Sequence, residues 1–558
     1  MSDRPVSSVL RYSNRFQRST DLVRDFRDPQ GLEGYTLTDF GRSCLARIAD
    51  GLRADSGRRA WRLTGDFGSG KSSFALLLAN SLRGPSQYLP KTLRSDVLEA
   101  VPQAKRQQFV PVLVAGSREP MPTAILRALR DTLAGLYTRG VKSAVERSIE
   151  LALRVGSPTG LQALNLLEEA NAKIIQTQKG DGILLILDEV GKFLEFAALH
   201  PEAQDVYFLQ QLAEAAARSG KQPLLIVCLL HQGFNAYAEQ LAPTMQREWE
   251  KVAGRFDEIV FQQPLDQIAL LVASAIDPNT EAIPAAQRAA AERAMRNAIQ
   301  LGWYGTSSSR DTLSKLPARL YPLDPTVLPI LVRVFQRFGQ NERSLFGFLC
   351  SHEPFGLRAF AQKELHADAE PFRLSDFYDY VRTNFGHKLG VVSYRTHWNV
   401  IESTIEAHNG NDSLELRVLK TIGILNLLSA DDLRPTKEAI LLATAGDADK
   451  PRAEVEKALA RLTSRRVLHF RGEARGYSLW PYTSVDIDAK LEDAKRVIPH
   501  VQKISEAILE QLDTQPIVAR AHYIRSGNLR YFEVVYCRPD EMATKASDQR
   551  SSADGFIL

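Results

Sequence analysis

The stretch Trp61-Arg-Leu-Thr-Gly65-Asp66-Phe67-Gly68-Ser69-Gly70-Lys71-Ser72-Ser73 decides how the first half of the chain is read. An apolar strand runs into it, and Phe74-Ala-Leu-Leu-Leu-Ala79 continues from it as a helix. In that setting Gly65-x-x-x-x-Gly70-Lys71-Ser72 is a phosphate-binding loop. Glycines let backbone N–H groups turn inward around phosphate oxygens, and the helix N-terminus adds the positive end of its dipole. Gly65, Asp66, Phe67, Gly68, Ser69, Gly70 and Ser73 form the cradle with Lys71 and Ser72. Lys71 reaches the outer phosphates, and the Ser72 hydroxyl is placed to ligand Mg²⁺. The expected ligand is a nucleoside triphosphate, taken as ATP with Mg²⁺.

Ile183-Leu-Leu-Ile-Leu-Asp188-Glu189 supplies the matching acidic end. An apolar strand carries Asp188 to the rim of a sheet, where its carboxylate can hold the Mg²⁺ shell. Glu189 then polarises a water for in-line attack on the γ-phosphate. The strand Leu224–Leu230 ends in His231-Gln232. If it lies between the strands of the phosphate loop and the acidic end, His231 orients that water or senses the γ-phosphate; otherwise it is an ordinary strand-end histidine. Gly254-Arg255-Phe256 precedes another strand. Arg255 there is either a finger toward a neighbouring subunit's nucleotide or a helix-terminal arginine complementing the dipole. Arg247 is the fallback for the finger.

At 558 residues the chain exceeds a single core. Its 44% apolar and 24% charged content is ordinary for a globular protein, and a net charge of +4 argues neither for nor against nucleic acid. Cys44, Cys228, Cys350 and Cys537 are scattered, which suggests neither a disulfide framework nor a zinc site. No signal peptide or membrane span is legible, so a cytoplasmic setting is expected.

Strands are expected at Ala60–Leu63, Phe109–Ala115, Ile183–Leu187, Leu224–Leu230 and Glu258–Phe261, separated by helices, hence an α/β fold with a parallel sheet covered on both faces. Residues 1–264 form this core, with a helical insertion at about 117–180. A helical lid follows over 265–395. Residues 396–500 read as a winged helix-turn-helix: helices Glu415–Leu428, Lys437–Thr444 and Ala453–Arg465, then strands Val467–Arg471 and Gly476–Trp480. Residues 501–558 read as a partial α+β segment, either incomplete or ending in a docked strand.

The order of these parts resembles AAA+ ATPases of the origin-recognition and initiator branch. That resemblance implies a lid arginine on the nucleotide, for which Gln340-Asn-Glu-Arg343-Ser-Leu-Phe346 offers Arg343. It also points to the segment before Thr38, where Tyr35 either stacks on the base or packs a helix onto the core. Asp188-Glu-Val-Gly-Lys-Phe-Leu194, His231-Gln-Gly-Phe234, Gly254-Arg-Phe256, Gly339-Gln-Asn-Glu-Arg-Ser-Leu-Phe346 and Leu479-Trp480 are similar to phrases in the large ATPases of prokaryotic BREX-type phage-defence systems. Family members are usually much longer. The resemblance implies an antiviral role alongside other defence-system proteins; the residues by themselves indicate only ATP use.

The wing carries Arg465, Arg466, Arg471 and Arg475, a set that could hold the phosphates of double-stranded DNA or simply be a solvated hairpin. Three readings stand: an ATP-hydrolysing motor or remodeller, a homo-oligomer joined through Arg255; a slow ATP-dependent switch; and a DNA-binding initiator that recruits a separate effector.

Overall fold

The computed structural model describes the chain apart from residues 1–3, 19, 54, 67, 139–141, 201–204, 234–235, 238–242, 340–344, 367–368, 390–391, 409–411, 481–511, 513–514, 527, 547–552 and 558. The chain forms two compact units, Met1–Pro481 and Tyr482–Leu558.

The first unit is built on five strands: β1 (Ala60–Thr64), β2 (Phe109–Ala115), β3 (Gly182–Asp188), β4 (Leu224–Leu230) and β5 (Asp257–Val260). All pair in parallel, in the order β2-β3-β4-β1-β5. Both β3 and β4 are buried over their whole length. That is why they read as unbroken apolar runs rather than as alternating ones. One apolar cluster lies on each face of the sheet: Leu63, Phe74, Leu77 and Ile186 on one side, Val112, Ile125, Leu185 and Phe193 on the other. The fold is the parallel α/β arrangement expected from the sequence, with β4 between the strand that ends at Thr64 and the strand that ends at Asp188.

The insertion between β2 and β3 is three helices, Met121–Leu136, Ala144–Val155 and Gly160–Gln176. Ser143 and Glu146 form a capping box at the start of the second. Beyond β5 the described elements up to the wing are helical. The apolar core runs through residue 395 without a break: Phe377, Tyr378 and Val381 share one cluster with Trp398, Ile401 and Leu419. The helices Ser413–Leu428, Lys437–Ala445 and Asp449–Ser464 precede the antiparallel hairpin β6 (Leu468–Phe470) and β7 (Tyr477–Leu479). Asn426 fastens the hairpin to its first helix, donating to Tyr477 O at 3.2 Å and accepting from Leu479 N at 3.0 Å. This is a winged helix-turn-helix.

In the second unit β8 (Ile517–Val518) pairs antiparallel with β9 (Tyr531–Val534), which pairs in parallel with β10 (Gly555–Ile557). With the helix Arg520–Ser526 it makes a small α+β element.

The entry to β1 depends on Arg59, which is completely buried. Its guanidinium donates to Gly51 O (2.9 Å), Ser219 Oγ (2.7 Å), Gly220 O (2.9 Å) and Arg53 O (2.9 Å). These bonds tie the loop before β1 to the turn before β4. Arg59→Met keeps the aliphatic stem but strands those acceptors. The expected cost is about 3 kcal/mol, a fall of roughly 6–12 °C in the melting of the sheet-bearing core by calorimetry.

Candidate functional site

The carboxyl ends of β1, β3 and β4 converge on one edge of the sheet. Gly65 N donates to Leu230 O at 3.1 Å, locking the loop to the tip of β4. The loop closes with Gly70 at φ 93°, a left-handed conformation that favours glycine, and the helix Lys71–Arg83 starts directly after it. Lys71 is only 5% exposed. Its ammonium donates to Gly65 O, to Asp66 O at 2.8 Å and to Ser69 Oγ at 3.3 Å. Burial pushes its pKa down to about 8, opposed by the charges of Asp188 and Asp66.

Asp188 is buried at the end of β3. Burial raises its pKa, against hydrogen bonds from the Ser72 hydroxyl and from Glu189 N, the latter at 2.8 Å. The two oxygens expected to face Mg²⁺ are therefore already joined. Among the described residues no group of three or more His, Cys, Asp or Glu could hold a metal ion. One carboxylate and one hydroxyl nevertheless fit Mg²⁺, which takes few protein oxygens and completes its octahedron with phosphate and water. Gly116 at the end of β2 lets the acidic turn pass close by, its N–H donating to Asp188 O at 2.9 Å. A Cβ there would lie 2.3 Å from Glu189 O.

Glu189 begins the helix Val190–Leu199 in a left-handed conformation, φ 49°. Its carboxylate is ion-paired with Lys192, one turn on. The sequence reading missed Lys192, although an acid three residues before a lysine at a helix start is a legible pair. His231 feels both Lys71 and Lys192: burial first, then those two charges, push its pKa down to about 4. It is a neutral group at physiological pH. Thr20 was also missed; its hydroxyl lies 2.6 Å from Ser73 Oγ and brings the N-terminal segment to the start of the phosphate-loop helix.

Other expected residues lie elsewhere. Phe67 and Arg343 fall outside the described residues. Tyr35 packs into the core on one face of the sheet, with the Arg15 guanidinium 5.6 Å from its ring centroid. Arg255 stands at the opposite edge of the sheet from the phosphate loop. Phe261, whose N–H donates to Thr64 O, is level with the loop, so the extended run from Asp257 alone puts the start of β5, which Arg255 precedes in a turn, about 13 Å below that level. Arg255 pairs with Glu214 at 3.6 Å and, with Tyr207, Gln210, Lys251 and Gly254, lines an open groove of about 530 Å³. Arg247 is exposed on the preceding helix, Pro243–Ala253.

No protein-family model matches the sequence, and no curated protein is similar to it. Among solved structures, the ORC2 protein of Aeropyrum pernix in its ADPNP–ADP complexes is similar at 14% identity and a TM-score of 0.33. The match covers 87% of this chain and 97% of that one. The ADP form of the same protein is similar at 14% identity and a TM-score of 0.29, covering 85% and 98%. A superposition this loose says nothing about activity. No helix among the described residues is long and apolar enough to cross a membrane.

The depressed pKa of His231 has a consequence for stability. The folded chain keeps the imidazole neutral, while the unfolded chain takes up its proton near pH 6.5. Stability conferred by this group is therefore present above about pH 6.5 and lost as pH falls toward 4. Melting compared at pH 7 and pH 5 is expected to show a larger loss in the wild type than in His231→Gln.

Proposed function

We propose that this chain is an ATPase that binds ATP and Mg²⁺ at the carboxyl edge of the sheet and hydrolyses the γ-phosphate. The observation that carries the reading is the convergence of Lys71, the Ser72–Asp188 pair, Glu189 and His231 on that one edge. The backbone N–H groups of Gly68 to Ser73 bind phosphate oxygens, and Lys71 exchanges its loop carbonyls for them. Ser72 and Asp188 hold Mg²⁺, which when bound neutralises charge on the outer phosphates. Glu189 takes the proton of the attacking water at its carboxylate, an act that requires it to leave Lys192. Neutral His231 offers a hydrogen bond to orient that water. Arg343, on the lid, is assigned to the nucleotide.

The working form is a homo-oligomer in which Arg255 serves the nucleotide of the neighbouring copy. Its place before β5, at the end of the strand opposite the phosphate loop, and its pairing with Glu214 support that reading, since the length of the strand separates it from its own loop. DNA is a second expected partner, through the wing. Three bases of that domain's third helix are already paired: Lys457 with Glu454 on the same helix, and Arg452 with Glu438 and Arg461 with Glu415 and Asp412 on the two helices before it. Arg465 is also held by Glu415, at 3.2 Å. Exposed Arg471 and Arg475 at the hairpin tip are then the residues for phosphate contact, which positions a protein without reading sequence. A place among defence-system proteins rests on the sequence phrases alone.

Steady-state ATP turnover with and without double-stranded DNA tests this reading. Glu189→Gln is expected to retain ATP and lose about 10²–10³-fold in kcat; wild-type turnover in that variant would remove Glu189 as the base. A wild type that retains ATP with negligible turnover would favour the switch. Arg255→Ala is expected to bind ATP normally and lose about 10²-fold or more in turnover. Normal turnover by that variant at assembling concentrations would sink the finger.

A further inference from the structure

Tyr237 follows β4 and touches two elements of the site at once. Its hydroxyl oxygen accepts from the backbone N–H groups of His231 and Gln232 at the tip of β4. The same hydroxyl presses against Gly191, in the first turn of the helix that Glu189 begins. A Cβ at Gly191 would lie 2.3 Å from Tyr237 Oη and 2.7 Å from Cζ. The ring also packs against the apolar cluster that holds Val190, Phe193 and Leu194 of that helix. Glycine weakens a helix relative to alanine, so Gly191 has a packing reason to be there: nothing larger admits the tyrosine. Two sequence phrases, Asp188-Glu-Val-Gly-Lys and His231-Gln-Gly, are thereby joined by a residue outside both.

We propose that Tyr237 is a positioning residue for hydrolysis, tying the His231–Gln232 turn to the helix start that carries Glu189. The inference rests on the ATPase reading of this edge. A water attacking the γ-phosphate needs its orienting group and its base held at a fixed separation. β4 and the Glu189 helix are joined here by one side chain whose hydroxyl meets backbone on both. Loss of that hydroxyl frees the turn to drift from the base while leaving Lys71 and the phosphate loop intact.

The test compares wild type, Tyr237→Phe and Gly191→Ala in the full chain. It measures ATP turnover, affinity for a fluorescent ATP analogue, and amide hydrogen exchange at His231 and Gln232. Tyr237→Phe keeps the ring and is expected to lower kcat about tenfold with affinity unchanged within about twofold, while those two amides exchange about tenfold faster. Gly191→Ala, which forces the ring away, should reproduce the pattern. In Tyr237→Phe with Glu189→Gln, turnover should fall no further than in Glu189→Gln alone, because both act on one step. Unchanged amide exchange in Tyr237→Phe would overturn the tie. Faster exchange with unchanged kcat would overturn the positioning role while the ATPase reading stands. A wild type that binds ATP and never turns it over would instead sink the hydrolytic reading, and the positioning role with it.

Discussion

The ammonium of Lys71 is almost wholly buried, and the carboxyl edge of the sheet is organised around that charge. A cation withdrawn from water needs compensating dipoles or anions. Its own loop supplies carbonyls from Gly65 and Asp66, and Asp188 adds a negative charge from the neighbouring element. The compensation is partial, as the fall of its pKa to about 8 records. A buried cation with incomplete anionic partners is the electrostatic preparation a polyphosphate requires. Burial first, and behind it the charges of Lys71 and Lys192, lower the pKa of His231 on another strand, so the buried ammonium adds to a shift that burial begins.

The parallel sheet gives that arrangement its direction. Every strand delivers its C-terminal residue to the same edge, so residues far apart in the chain meet there: Gly65 after β1, Gly116 after β2, Asp188 and Glu189 at β3, His231 after β4. Arg255, ahead of β5, is sent to the other edge by the same rule. Strand polarity thus separates the cation from its own loop more firmly than any loop conformation could. The acidic turn carries some local strain, with Glu189 in a left-handed conformation next to a glycine that admits its backbone. Such positions concentrate where a side chain must be aimed against the local preference of the chain.

Much of this was legible without coordinates. The strand-loop-helix context of Gly65–Ser72 and the apolar run ending in Asp188-Glu189 are local signals, and each strand of the five-stranded sheet lies within a residue of its expected bounds. The winged helix was equally plain, because three helical periods and a hairpin turn are local patterns. Gly116, Lys192, Tyr237, Thr20 and Arg59 were not singled out. Gly116 and Tyr237 act through contacts with elements remote in sequence, and nothing in their own neighbourhood marks them. Arg59 is buried and donates to four acceptors in two segments, residues 51–53 and 219–220, that meet only in the fold.

By itself the sequence determined which segments become the strands of the main sheet and the helices after them, where the glycine-rich turn between β1 and its helix lies, and which acid ends the third strand. Hydrophobic period and backbone stereochemistry act over a few residues, so those features are written locally. Only the tertiary structure decided that β4 inserts between β1 and β3, that Arg255 pairs with Glu214 ahead of β5, and that Tyr237 spans His231, Gln232 and Gly191. Those outcomes depend on strand order and on side chains meeting across the sheet edge, and pairing between distant segments is fixed by the burial of the whole core rather than by any one stretch.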